Sequence, residues 1–164
     1  LNAPSTTETS ALSLHAALPS WSAAGDKLGI PVDTVVAAEI AAGVKTSIAA
    51  DGAIPAELMG LDIGPKTVAM YKQIIATAKT VVWNGPMGVF EVKPFDVGTM
   101  AIATAVADAT ARGATSIIGG GDSAAAVIAA GLESRMSHIS TGGGASLEFL
   151  EGKPFKAIGI IDEA

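Results

Sequence analysis

The sequence predicts an α/β domain, a three-layer parallel sheet with helices on both faces. Three observations predict it. From about Lys27 onward, short apolar runs alternate with longer segments of helical periodicity. Glycine, 19 of 164 residues, gathers where those runs end: Gly85 and Gly88 around Pro86, Gly119-Gly120-Gly121, and Gly142-Gly143-Gly144. Hydrophobic residues make up 49% and charged residues 16%, a balance suited to a largely buried sheet.

The elements follow in order. Leu28 to Val32 reads as a short buried strand and Val44 to Ala49 as another. Asp62-Ile63-Gly64-Pro65 introduces a helix, with proline near its first turn. Val68, Tyr71, Ile75 and Ala78 form its apolar face, while Lys72, Gln73 and Lys79 lie off it. Thr80 to Trp83 is a buried strand stopped by Asn84-Gly85-Pro86, a turn by its chemistry. An alanine-rich helix from Gly98 to Ala111 ends at Arg112-Gly113. Strand Ser116 to Ile118, the first glycine triplet and helix Ser123 to Ala130 come next. Strand Met136 to Ser140, the second triplet and helix Ala145 to Leu150 complete the pattern. Strand, glycine turn, helix, repeated, places ligands beyond the carboxyl ends of parallel strands.

Residues 1–20 stand outside this grammar, and residues 21–164 carry it. The segment from Thr6 to Pro19 resembles translated sequencing-adapter DNA, so residues 1–20 are expected to be non-native or disordered; a natural low-complexity linker is the other reading. The segment lacks the basic start and long apolar stretch of a secretion signal.

Composition excludes several function classes. The formal net charge is −6, with acidic residues scattered along the chain, so no nucleic-acid partner is expected and any bound phosphate must be held locally. No run approaches the ~18 apolar residues of a membrane helix, so no membrane partner is expected. Without cysteine there is no disulfide framework and no thiolate metal site. A cytoplasmic protein that binds a small molecule is the expectation.

Three motifs carry chemistry. Ile118-Gly119-Gly120-Gly121-Asp122-Ser123 runs from strand through glycines into a helix, presenting backbone N–H groups and a positive helix end to a phosphate. Asp122 adds an anion there, which suits a Mg²⁺ riding on the phosphates; equally, Asp122 or Ser123 caps the helix. Ser140-Thr141-Gly142-Gly143-Gly144-Ala145-Ser146 repeats the arrangement one unit later. Neither cluster is a G-x-x-x-x-G-K-[ST] loop or a G-x-G-x-x-G fingerprint. In the third motif, Val82 to Glu91, the apolar Met87, Val89 and Phe90 are placed to wall a flat ring, with Glu91 accepting from ribose hydroxyls; a plain turn with a core aromatic is the alternative. His138, in an apolar strand, reads as a structural histidine, Asp33 as a turn-capping residue and Trp83 as core.

Four strings, in order, resemble the signatures of phosphoglycerate kinases: Met59-Gly60-Leu61-Asp62-Ile63-Gly64-Pro65; Val82-Trp83-Asn84-Gly85-Pro86-Met87-Gly88-Val89-Phe90-Glu91; Ile117-Ile118-Gly119-Gly120-Gly121-Asp122-Ser123-Ala124; and Ser137-His138-Ile139-Ser140-Thr141-Gly142-Gly143-Gly144-Ala145-Ser146-Leu147-Glu148. The resemblance covers roughly Ala24 to Glu151. It implies a Rossmann-like parallel sheet, the C-terminal half of that family's fold, and a reversible phosphoryl transfer from 1,3-bisphosphoglycerate to ADP giving 3-phosphoglycerate and ATP. Carried over motif by motif, Gly60 and Val89 line the adenine pocket, Asn84 and Pro86 lie near the nucleotide phosphates, and Glu91 holds the ribose. Gly120, Gly121 and Ser123 sit at the phosphates and Asp122 at the magnesium. Gly142, Gly143 and Gly144 face the phosphoryl group in flight.

The departures are part of the reading. The family's N-terminal domain, which binds phosphoglycerate, has no counterpart here, nor do the lysines of the nucleotide site. Gly152-Lys153 continues into Pro154-Phe155-Lys156-Ala157 where the family has Leu-Pro-Gly. The chain alone is therefore expected to be inactive, and the full-length protein monomeric. A dinucleotide-binding domain is disfavoured by the missing fingerprint, and a non-catalytic nucleotide-binding module is the alternative reading.

Overall fold

The computed structural model describes residues 28–50, 53–142, 144 and 152. The chain divides into two units, Leu1–Ile30 and Pro31–Ala164. In the first unit, residues 28–30 are described and are exposed. The expectation for residues 1–20, the helix Ala145 to Leu150, Gly143 and the tail from Lys153 lie outside the described residues.

The second unit contains two three-stranded sheets. In the first, β1 (Asp33–Ala37) is central, paired antiparallel with β2 (Ser47–Ala50) and with β3 (Met59–Ile63). In the second, β4 (Thr80–Asn84), β5 (Thr115–Gly119) and β6 (His138–Ser140) are parallel and adjacent in that order. Helices α1 (Pro65–Thr77), α2 (Val97–Ala111) and α3 (Gly121–Ala129) make the connections, with a short 3-10 turn at Glu133–Arg135 before β6. The chain is an α/β domain.

Sequence reasoning misplaces the first elements. Leu28 to Val32 forms no strand and is exposed; the strand begins at Asp33. Pro31 offers no N–H to a ladder. The antiparallel sheet is unforeseen, yet its cause is visible. The stretch from Ala37 to Ser47 is shorter than the roughly dozen residues a parallel crossover needs, so β2 returns antiparallel beside β1. Asp62 and Ile63 close β3, and the helix starts at Pro65, whose missing N–H costs nothing in a first turn. β2 begins at Ser47 rather than Val44 and buries only Ala49.

From β4 to β6 the expected elements are present. Val68, Tyr71 and Ile75 of α1 pack, as their spacing predicts, on a core of Ile63, Trp83, Ile102, Ala103, Val106, Ile118 and Val127. α2 is apolar on most of its surface because it touches β3, β5, α1 and α3. Its alanines let those neighbours approach. Ile118, Val106 and Val127 are fully buried, each contributing ~1.5–3 kcal/mol. Gly113, at φ +97°, ends α2 in a conformation that L side chains rarely adopt. A second cluster joins Ala37, Leu61 and Phe95 with Val44, Val89 and Val92.

The start of α1 is held by a residue far away in sequence. Its N-cap, Gly64, has no side chain to offer. Asp33 supplies one: Lys66 N–H donates to Oδ2 at 2.9 Å, Thr67 N–H to Oδ1 at 2.8 Å and the Thr67 hydroxyl to Oδ1 at 2.6 Å. Val32 and Asp33 N–H groups return bonds to Thr67 Oγ1 at 3.0 and 3.1 Å. Any Cβ at Gly64 would strike the Asp33 carboxyl, so glycine there makes room for the anion. Burial alone would raise the Asp33 carboxyl, but the Thr67 hydroxyl and the two N–H groups hold it below 3.8.

Asp33→Ala should therefore cost ~2–3 kcal/mol in urea unfolding, since buried donors lose their acceptor. The sign of the pH effect follows from the lowered value. Stability from Asp33 is full above its unfolded value of 3.8 and is lost as pH falls through the lower folded value. The gap between wild type and Asp33→Asn should narrow below about pH 4; a gap that stays constant under acid would contradict this account.

Candidate functional site

The three parallel strands end in register. Asn84 pairs with Gly119, and Gly119 with Ser140, so Gly85-Pro86, Gly120-Gly121 and Thr141-Gly142 leave the sheet side by side at its carboxyl end. The N–H of Gly120 donates to the Ser140 carbonyl at 3.0 Å, tying the two glycine turns together. The first triplet and Gly142 of the second thus follow adjacent strands at the same edge, as the sequence predicts.

The glycines of the first triplet differ in their reasons. Gly120 has φ +92°, and a Cβ there would lie 2.9 Å from Asn84 Oδ1, so only glycine fits. Gly121 opens α3, is exposed, and a Cβ added to it would meet nothing. The first intrahelical bond of α3 runs from Ala124 N–H to the Gly120 carbonyl at 3.0 Å. The N–H groups of Gly121, Asp122 and Ser123 lie ahead of it, at the positive end of the helix dipole. Asp122 is exposed in that first turn, beside the bare backbone. Gly142 is exposed, its N–H donating to Ser140 Oγ at 3.2 Å; Gly144 is exposed as well.

Ser123 lies elsewhere than its motif suggests. It is fully buried, and its Oγ accepts from the Gly85 N–H at 2.7 Å. Its hydroxyl holds the turn after β4 against the start of α3. Trp83 is core, as expected, and also donates from Nε1 to the Gly85 carbonyl at 2.6 Å. Both backbone groups of Gly85 are thereby fixed, and its φ of +102° requires glycine. Pro86 follows, half-buried, and Asn84 is exposed. His138, read from the sequence as a structural histidine, opens β6 and is exposed.

Next to this edge is a cavity of about 340 Å³. Gly60, Leu61 and Ile63 of β3 form one wall and Met87, Gly88 and Val89 the other, with Thr34 and Ile54 also contributing. The cavity brings Gly60 and Val89 together, as the sequence expects. At Gly60 a Cβ would come within 2.9 Å of Ile54 Cδ1, so the wall is close-packed behind it. Val89 N–H donates to the Leu61 carbonyl at 2.9 Å, joining the two walls at one end. Glu91 follows two residues after Val89 and is exposed; it does not line the cavity.

Two residues that sequence reasoning passes over support these walls. Thr99 is fully buried, and its Oγ1 accepts from Met87 N–H at 3.0 Å and Gly88 N–H at 3.3 Å. Asp62 is buried, accepting from Ile63 N–H at 2.8 Å and Gly98 N–H at 2.6 Å. Burial pushes its carboxyl up despite those bonds, with Asp96 adding a like charge. A hydroxyl in the first turn of an alanine-rich helix, and an acid in a strand, are the signals available. Among the described residues no three His, Cys, Asp or Glu side chains form a metal cage.

The two buried carboxylates should respond oppositely to acid. Asp62 binds its proton more readily folded than unfolded, so its titration adds stability as pH falls through the folded value toward 3.8. Across that interval wild type should gain on Asp62→Asn in chemical denaturation. A gap that closes instead would mean that hydrogen bonding, not burial, sets this group.

Comparison with known proteins follows from this geometry. The family model for phosphoglycerate kinase matches residues 5–153. A phosphoglycerate kinase of Chlorobium chlorochromatii is 58% identical over 140 residues, which are 85% of this chain and 35% of that protein. A cytosolic phosphoglycerate kinase of Triticum aestivum is 55% identical over 140 residues, with the same two coverages. The solved phosphoglycerate kinase of Coxiella burnetii superposes with a TM-score of 0.77 at 46% identity, covering 85% of this chain and 36% of that one. The chain thus spans about a third of the length of the relatives it matches.

Proposed function

The chain belongs to the phosphoglycerate kinase family, and from that premise we propose that it forms the nucleotide-binding part of an enzyme that moves a phosphoryl group reversibly between 1,3-bisphosphoglycerate and ADP, giving 3-phosphoglycerate and ATP. The observation that carries the reading is the register of Asn84, Gly119 and Ser140, which brings three turns to one edge beside an apolar cavity. A nucleotide laid along that edge has its ring between Gly60 and Val89 and its phosphates over Asn84, Pro86, Gly120 and Gly121. Glu91 takes the ribose. Ser123 serves the phosphates indirectly, by fixing the Gly85 turn. The second triplet, Gly142, Gly143 and Gly144, faces the group in transfer, where charge develops, with the Gly142 N–H exchanging its Ser140 Oγ partner for a phosphoryl oxygen.

The residues present fit a magnesium ion carried in on the nucleotide. Magnesium needs only one or two carboxylates when phosphates supply the rest, and Asp122 is an exposed carboxylate in the first turn of α3. When bound, the ion neutralises phosphate charge; the chain's own part is to orient the phosphates and exclude competing contacts. The sugar acid falls to the part of the relatives that this chain does not span. The chain alone should therefore bind Mg-ADP without turnover. We propose a cytoplasmic location, which a wheat relative named as cytosolic supports, and, from the family resemblance alone, a monomeric full-length protein.

Calorimetric titration with Mg-ADP and with NAD tests the reading. Binding of Mg-ADP alone supports it, and equal binding of both would sink it. Gly121→Ala should leave unfolding unchanged or add up to ~1 kcal/mol, because space is open there, yet weaken Mg-ADP about tenfold or more where the methyl meets the phosphates. Asp122 makes no cap bond, the N-cap being Gly120, so Asp122→Asn loses only an exposed charge near the positive helix end and should cost less than ~1 kcal/mol of stability. The dependence of ADP affinity on magnesium should largely vanish; an unchanged dependence would leave Asp122 as a first-turn acid only, not the cap that the sequence also offers.

A further inference from the structure

The second wall of the cavity, Met87 to Val89, lies in a connection between strand and helix, and one side chain fixes its height. Thr99 Oγ1 takes both the Met87 and Gly88 N–H groups, at 3.0 and 3.3 Å, and is fully buried while doing so. No regular sheet or helix ladder holds this pair of amides. Thr99 itself is anchored through its neighbour, since Gly98 N–H donates to Asp62 Oδ2 and Asp62 belongs to β3, the opposite wall. The path closes on itself: wall, Thr99, the first turn of α2, Asp62, other wall. Any Cβ at Gly88 or Gly98 would strike Asp62, so the three segments meet with no slack.

We propose that Thr99 is a positioning residue that sets the spacing of the two cavity walls and thereby the affinity for the flat-ring end of the ligand, while leaving the phosphate end untouched. The inference rests on the reading that this cavity takes the nucleotide's ring. The phosphate turns have separate supports: Ser123 and Trp83 on Gly85, and Ser140 on Gly120. Loss of the Thr99 hydroxyl leaves two amides without their acceptor, and they regain one only by moving toward solvent, which shifts the wall.

The test uses the full chain and three probes, adenosine, Mg-ADP and Mg-pyrophosphate, titrated into wild type, Thr99→Val and Thr99→Ser. Thr99→Val should weaken adenosine and Mg-ADP by the same factor, about tenfold, with Mg-pyrophosphate unchanged. Thr99→Ser, which keeps the oxygen, should return both to within about twofold of wild type. Thr99→Cys, with a weak sulfur acceptor, carries the same comparison should the valine variant not fold, and is expected to weaken the ring probes alone. A parallel loss of pyrophosphate binding, an undiminished affinity for adenosine, or no recovery with serine overturns the proposal. Wild type that binds pyrophosphate but not adenosine overturns the ring assignment of the cavity, and the proposal with it.

Discussion

A carboxylate buried in a domain of this size is tolerated only where donors meet its oxygens, and Asp62 is where the architecture answers that demand. One oxygen is met from within β3, by Ile63, and the other from the first turn of α2, by Gly98. The third segment, around Gly88, approaches closely because it lacks a side chain. Strand, helix and loop are thus brought to one point by the requirement of one ion. Asp33 repeats the solution one element earlier, with α1 and Thr67. In each case an acid on a strand completes a helix end that its own residues leave bare.

The same division of labour runs through the glycine edge. Side chains there work inward: Ser123 and Trp83 clamp Gly85, and Asn84 lies against Gly120. What faces outward is backbone, with Asp122 as the acid in the helix's first turn. Backbone N–H groups carry no rotamer freedom, so a surface built from them is ordered before any ligand arrives. The family's preference for glycine in these strings then has two separable origins. Gly85 and Gly120 answer to positive φ, whereas Gly121 answers to nothing inside the chain.

Sequence reasoning reads the second sheet well and the first poorly, for physical reasons. β4 and β5 end in glycine turns, and a parallel strand buried between helices shows as a short apolar run. Leu28 to Val32 has the same look, but Pro31 and the absence of a partner ladder leave it exposed. The antiparallel return of β2 beside β1 was recoverable from their short connection; the placing of β3 on the other side of β1 was not. Of the site, Gly60 and Val89 meet at the cavity, and the first triplet and Gly142 reach one edge. The supports were hidden. Asp33 and Thr67 are 34 positions apart, and Thr99 reaches back 12 to Met87; no local pattern announces such bonds. Ser123 shows the converse, a residue of the right motif whose hydroxyl turns to its own chain.

The cavity has a mechanical meaning as well. One wall is a strand of the antiparallel sheet and the other a loop hung from the parallel one, held together at a single main-chain bond, Val89 to Leu61. A molecule that fills the space touches both at once. Occupancy and the docking of the two sheets are then a single coupled equilibrium. By mass action, a ligand held at about a hundred times its Kd adds ~2.7 kcal/mol to the folded state. The domain's cohesion is accordingly a quantity that the surrounding solution sets together with the sequence.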